Sequence, residues 1–133
     1  MKLITRDTDY AVKAIAAIAK GKRAYTVNEL VDKLGIPKAF LRRIFQKLAN
    51  AGILLSTKGK SGGFSLARKP KDIKISDIIF AFQGKVSMNE CVFKKKLCPD
   101  IRTCPLRKEI VKIEKDVVAR LESISIASLT GGK

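Results

Sequence analysis

The sequence predicts a mainly α fold: a winged helix-turn-helix with a small β-hairpin wing and a long C-terminal dimerisation helix. Three observations carry this. Three consecutive segments place apolar residues at helical spacing. A Gly- and Lys-rich stretch then separates two short apolar runs, and a near-heptad stripe follows towards the C-terminus. The first helix is expected over residues 8–20, with Ala11, Val12, Ile15, Ile18 and Ala19 as its stripe. Asp7, Thr8 or Asp9 can serve its N-terminus, and Gly21-Lys22-Arg23 ends it.

Thr26-Val27-Asn28-Glu29 reads as a capping box, in which hydroxyl and carboxylate each satisfy an amide of the helix start. Val27, Leu30, Val31 and Leu34 would be buried, and Gly35 stands where a left-handed residue is wanted. Pro37 can open the third helix, because the N–H it lacks would be unpaired there anyway. Phe40, Leu41, Ile44, Phe45 and Leu48 form the core stripe of that helix, and Lys38, Arg42, Arg43, Gln46 and Lys47 lie away from it. A short helix, a Gly turn and a longer helix make the helix-turn-helix, whose last helix enters the major groove.

Residues 53–57 and 64–68 are expected as strands, joined by Lys58-Gly59-Lys60-Ser61-Gly62-Gly63. The glycines let this segment turn and approach a backbone closely. As a nucleotide phosphate cradle it is weak, because it lacks the spacing of a P-loop and follows no βαβ unit. Ser76 reads as the N-cap of a short helix through Phe82, buried by Ile78, Ile79 and Phe82 and broken by Gly84. Residues 85–104 show no period and form a long loop. From Pro105 a helix is expected over residues 105–128, with Leu106, Ile110, Ile113, Val117, Leu121 and Ile124 spaced close to a heptad seam. The seam packs on the first helix of its own chain or on the equivalent helix of a second copy. The divisions are therefore 1–71, helix-turn-helix and wing; 85–104, cysteine loop; and 105–128, dimerisation helix, all within a single domain of 133 residues.

The formal net charge is +16, from 28 Lys and Arg against 12 Asp and Glu. Residues 1–71 hold 16 of the basic residues and 4 of the acidic ones, so the excess belongs to the helix-turn-helix half. Phosphate neutralisation with counterion release makes nucleic acid the expected partner. Arg42 and Arg43 are candidates for bidentate guanine readout. Thr26, Asn28, Lys38 and Lys47 are candidates for phosphate positioning, and Lys58 and Lys60 for the minor groove. The chain has no His, which excludes His-based catalysis and His ligation, and it offers no obvious general base, so no enzyme is expected. It lacks the aromatic stacking set of RNA modules. No apolar run approaches bilayer length and no secretory signal is seen, so a cytoplasmic protein with no membrane or small-molecule substrate is expected.

All three cysteines, Cys91, Cys98 and Cys104, cluster as C-x6-C-x5-C. An odd count argues against structural disulfides. No fourth Cys or His completes a usual zinc set. Soft thiolates select iron–sulfur clusters, zinc or copper(I), and the nearby Lys94-Lys95-Lys96 favours the thiolate form.

The ordered set resembles the winged-helix iron–sulfur regulators of the IscR and NsrR type (the Rrf-two family) over essentially the whole chain. The matching segments are Met1-Lys2-Leu3, Tyr10-Ala11-Val12, Leu34-Gly35-Ile36, Phe40-Leu41 with Leu48, the wing from Lys58 to Arg68, and the three cysteines. The resemblance implies a homodimeric transcription factor on a double-stranded DNA operator. Its cluster would report iron–sulfur status, nitric oxide, redox state or iron supply. IscR-type members carry a His three residues after the last Cys, where this chain has Arg107. NsrR-type members use an Asp near the N-terminus of the other subunit, and Thr8-Asp9-Tyr10-Ala11 matches that motif. The resemblance thus implies Cys91, Cys98, Cys104 and Asp9 as ligands, with Asp7, Glu90 and Asp100 as rival oxygen donors, and favours [4Fe-4S] over [2Fe-2S]. The gap between Cys91 and Cys98 is one residue longer than those subtypes usually show. The family position of Arg42 is an acidic base-reader in some IscR-type members, and Pro37 and Ala39 replace Ser-type contacts, so the operator sequence does not carry over. The alternative is a regulator of the same fold without a cluster, sensing through thiol oxidation or a partner protein.

Overall fold

Thr5 opens the first helix of the computed structural model, which describes residues 3–59, 62–84 and 105–130. Helix α1 runs Arg6–Gly21. Its cap is Thr5, whose hydroxyl accepts from the Thr8 amide, and not one of the three residues expected from sequence. Asp7 and Asp9 lie in its first turn, where a helix N-terminus favours negative charge. Thr8 is fully buried.

Helix α2 (Val27–Leu34) carries the expected capping box. The Glu29 amide donates to the Thr26 hydroxyl at 3.1 Å, and the Thr26 amide donates to the Glu29 carboxylate at 3.1 Å. Gly35 takes the left-handed conformation, with φ of 70°. Helix α3 (Lys38–Asn50) follows directly after Pro37 and buries Leu41, Ile44, Phe45 and Leu48. These four side chains are fully buried, each stabilising the fold by about 1.5–3 kcal/mol.

The wing pairs β1 (Leu54–Thr57) with β2 (Gly63–Leu66) antiparallel, in the register Leu54 to Leu66 and Thr57 to Gly63. It does not stand alone. Tyr25, ahead of α2, forms a β-bridge to Phe64, with backbone hydrogen bonds of 2.9 and 2.7 Å. The Phe64 ring then packs against Phe45 of α3, with ring centroids 4.7 Å apart and the planes tilted by 50°. The wing is thereby fixed both to the segment ahead of α2 and to the middle of α3.

Helix α4 (Ile75–Gln83) begins one residue before Ser76. Ser76 is buried inside it and is not the cap. Asp77 serves the start instead, accepting from the Lys74 amide at 3.0 Å. Helix α5 (Pro105–Glu122) is shorter than the sequence suggests. The Ser123 hydroxyl bonds back to the Arg120 carbonyl at 2.6 Å, and Ser125 caps a separate helix α6 (Ile126–Leu129). Between them the chain is extended: the Ile75 amide donates to the Ile124 carbonyl and the Ile126 amide to the Ile73 carbonyl, both at 2.9 Å. Local serine bonding competes with helix continuation, and this pairing secures the break.

The expected seam is divided as a result. Leu121 is buried in the chain's own core, with Val117 and Ile124 packed against it. Leu106 and Ile113 are exposed. Helix α1 is central to the core and packs against α2, α3, α4, α6 and β2.

Candidate nucleic-acid interface

The exposed side of the helix-turn-helix is built from the N-terminus of α2, the outward face of α3 and the wing. At the start of α2 the Thr26 hydroxyl accepts from Glu29, which leaves its own O–H to donate outward. Asn28 is exposed beside it. Arg23 lies over the Tyr25 ring, its Cζ 3.8 Å from the centroid, and pairs with the Glu29 carboxylate. The Arg23 hydrogen bond, helped by the Thr26 amide, holds the Glu29 carboxyl down at about 2. Asn28, Arg42 and Lys38 have no hydrogen-bond or ion partner among the described residues.

The outward residues of α3 divide three ways. Arg42 faces the groove between α3 and the wing, which Gln46, Asn50, Ser56 and Phe64 also line. Arg43 turns the other way. Its guanidinium lies 4.9 Å from the Phe40 ring centroid and donates to both Asp7 oxygens at 3.1 Å, joining the reading helix to the first turn of α1. Sequence reasoning treated Arg42 and Arg43 as equivalent; the fold gives Arg43 an internal partner. Lys47 leans towards α4, its ammonium 5.4 Å from the Phe82 ring centroid. Lys38 is exposed in the first turn of α3, and Lys58 is exposed at the end of β1. Lys60 lies outside the described residues.

Of the four candidate iron ligands, Asp9 is described and Cys91, Cys98 and Cys104 lie outside the described residues. Asp9 is half-exposed on α1 and pairs with Lys13 one turn later at 2.9 Å. That partner raises the Lys13 pKa, first through the side-chain hydrogen bond and then through charge attraction.

Sequence reasoning gave no weight to Gln83, the last residue of α4. Its carbonyl oxygen accepts from the Thr5 amide at 2.9 Å and from the Thr8 hydroxyl at 2.7 Å, and its amide donates to the Leu3 carbonyl at 3.0 Å. Gln83 therefore clasps the N-terminus of α1. Its partners are 75 or more residues away along the chain, so no local pattern announces it.

A capped short helix, a Gly turn, a basic second helix and a hairpin anchored beside it define a winged helix-turn-helix. The profile described as "Rrf2: Iron-dependent Transcriptional regulator" matches residues 4–132, and the chain belongs to that family. An HTH-type, rrf2-like transcriptional regulator of Rhodobacter capsulatus is 28% identical over 137 residues, covering 96% of this chain and 91% of its own. Among solved structures, T. potens IscR superposes with a TM-score of 0.74 at 25% identity, covering 97% of this chain and 85% of its own. CymR (YrzC), described as the global cysteine regulator of B. subtilis, superposes with a TM-score of 0.81 at 23% identity over 98% of both chains. Regulators of this family bind DNA. No described helix is long and apolar enough to cross a membrane.

Proposed function

We propose that this Rrf2-family regulator works as a cytoplasmic homodimer on a duplex operator, and that an iron–sulfur cluster held by Cys91, Cys98, Cys104 and Asp9 governs its occupancy. The observation that carries the reading is the confinement of every cysteine to one short segment, in a chain matched almost end to end by an iron-dependent regulator family. The donor set fits the group: three soft thiols in a strongly basic chain without His, and one half-exposed carboxylate paired only at the surface. When bound, such a cluster, [4Fe-4S] in preference to [2Fe-2S], supplies a redox- and ligand-reactive centre with one iron on a hard oxygen donor.

The rest belongs to the chain's own residues. Asp9 comes from the second copy. Leu106 and Ile113, seven residues apart and exposed on α5, offer an apolar stripe for that copy to cover. Thr26, Asn28, Lys38, Lys47, Lys58 and Lys60 hold phosphates while Arg42 reads a base edge. The Asp7–Arg43 pair ties the turn that carries Asp9 to the reading helix. A shift of α1 that accompanies release of Asp9 thus moves α3 and the spacing of the two reading helices.

Anaerobic purification with iron and sulfide counting tests the assignment. Wild type is expected brown with thiolate-to-iron absorption. Cys98→Ala is expected colourless, and cluster-loaded and cluster-free protein are expected to differ in operator affinity at matched salt. Colourless anaerobic protein that holds no iron and binds DNA normally would overturn it. That outcome favours a regulator without a cluster that senses through its thiols or a partner protein, a reading supported by the likeness to a cysteine regulator.

A further inference from the structure

We infer that Gln46, and not Arg43, is the second base-reading side chain of α3, and that Arg42 and Gln46 together read a guanine and an adenine on adjacent or next-adjacent base pairs. The inference rests on the operator-binding reading above and specifies its half-site. Arg43 is drawn to α1 by both Asp7 oxygens at 3.1 Å. Both contacts come from one terminal guanidinium nitrogen, and a two-nitrogen grip on guanine would compete with Asp7 for it. Gln46 is exposed, has no hydrogen-bond partner among the described residues, and opens with Arg42 onto the groove beside the wing.

The spacing sets the register. Residues four apart on an α-helix share a face and lie about 6 Å apart along the axis. Base pairs stack about 3.4 Å apart, so the two side chains reach positions no more than two base pairs apart. The helix of a zinc finger behaves comparably, with residues three or four apart contacting successive bases. The chemistry sets the letters. A guanidinium forks onto guanine O6 and N7, and a carboxamide donates to adenine N7 and accepts from adenine N6. Ser56 and the wing close the far side of the groove, where they bound the reading surface without reaching along α3.

Selection of binding sites from randomised duplexes at fixed salt tests this with wild type, Arg42→Ala, Gln46→Ala and Arg43→Ala. Wild type is expected to enrich a site with guanine and adenine within two base pairs of one another. Arg42→Ala should flatten the guanine position and Gln46→Ala the adenine position, each by roughly 10- to 100-fold in relative affinity. Affinity for unrelated duplex should fall far less than affinity for the selected site in both, and the small general loss in Arg42→Ala should carry the salt dependence of one removed cation. Both positions are exposed, so matching thermal melts are expected and would exclude a folding effect. A Gln46→Ala motif identical to wild type overturns the proposal, as does loss of a single base preference in Arg43→Ala with Gln46→Ala unaffected. Failure of wild type to enrich any sequence also overturns it, but by removing the operator-binding reading beneath it, and that outcome is distinct from the other two.

Discussion

Replacing Gly63 by Ala tests whether the wing is held in place through Tyr25. Gly63 has a φ of 143°, and a Cβ added there would sit 2.5 Å from the Tyr25 carbonyl oxygen and 2.7 Å from its carbonyl carbon. These are backbone atoms and cannot rotate aside. Strand β2 must move away, which breaks the two Tyr25–Phe64 backbone hydrogen bonds. Each such bond contributes about 0.5–1.5 kcal/mol net, and an L-residue at that φ adds about 1–3 kcal/mol of strain. Urea unfolding should therefore place Gly63→Ala about 2–6 kcal/mol below wild type. Gly59 separates the two contributions, because it has a φ of 112° but a Cβ added there would meet nothing within 4 Å among the described residues. Gly59→Ala should show the strain alone, about 1–3 kcal/mol. Equal stabilities for the two variants would refute the reasoning, since the Tyr25 contact would then contribute nothing.

Two further changes address charge. The Glu29 carboxyl is held at about 2 against an ordinary 4.5, so its contribution to stability is complete above about pH 4.5 and is lost as pH falls towards 2. The gap in Tm between wild type and Glu29→Gln should be largest near neutrality and close through that window; a gap independent of pH would exclude the carboxylate charge as its source. Lys58→Ala removes an exposed cation at the end of β1. Binding should weaken similarly on all duplexes and the salt slope should fall by about 1, whereas a loss confined to one base position would refute a phosphate role.

The parts of the fold legible in sequence are those whose partners are close along the chain. Thr26 and Glu29 satisfy each other's amides across three residues, and the α3 stripe of Leu41, Ile44, Phe45 and Leu48 repeats within one helix. Misreadings arose where a distant partner decided. Thr8 looks like a cap, yet its hydroxyl is engaged by Gln83 and the cap passes to Thr5. Arg43 looks as free as Arg42, yet Asp7 lies 36 residues earlier. Ile124 fits the seam of a longer helix, but its carbonyl pairs with the Ile75 amide and the helix stops at Glu122. In each case the residue type was compatible with both roles, and the choice was made by a tertiary hydrogen bond that no local period encodes.

The switch proposed above finds its mechanical basis in the first turn of α1. Successive helical residues point about 100° apart, as the 3.6-residue turn requires, and here three of them meet three different surroundings. Asp7 reaches α3 through Arg43, Thr8 is buried against Gln83 of α4, and Asp9 faces outward. The buried Thr8 hydroxyl and the Gln83 carbonyl oxygen, which accepts two hydrogen bonds, tolerate gradual displacement poorly, because a partial move leaves a polar group unpaired. On the function proposed above, a pull on Asp9 would therefore either leave the Thr8–Gln83 clasp intact or break it. Because Asp7 lies in the same turn, breaking the clasp also moves the anchor of Arg43 and with it the helix that carries Arg42 and Gln46. Closely packed interfaces of this kind convert a small local force into a change of state.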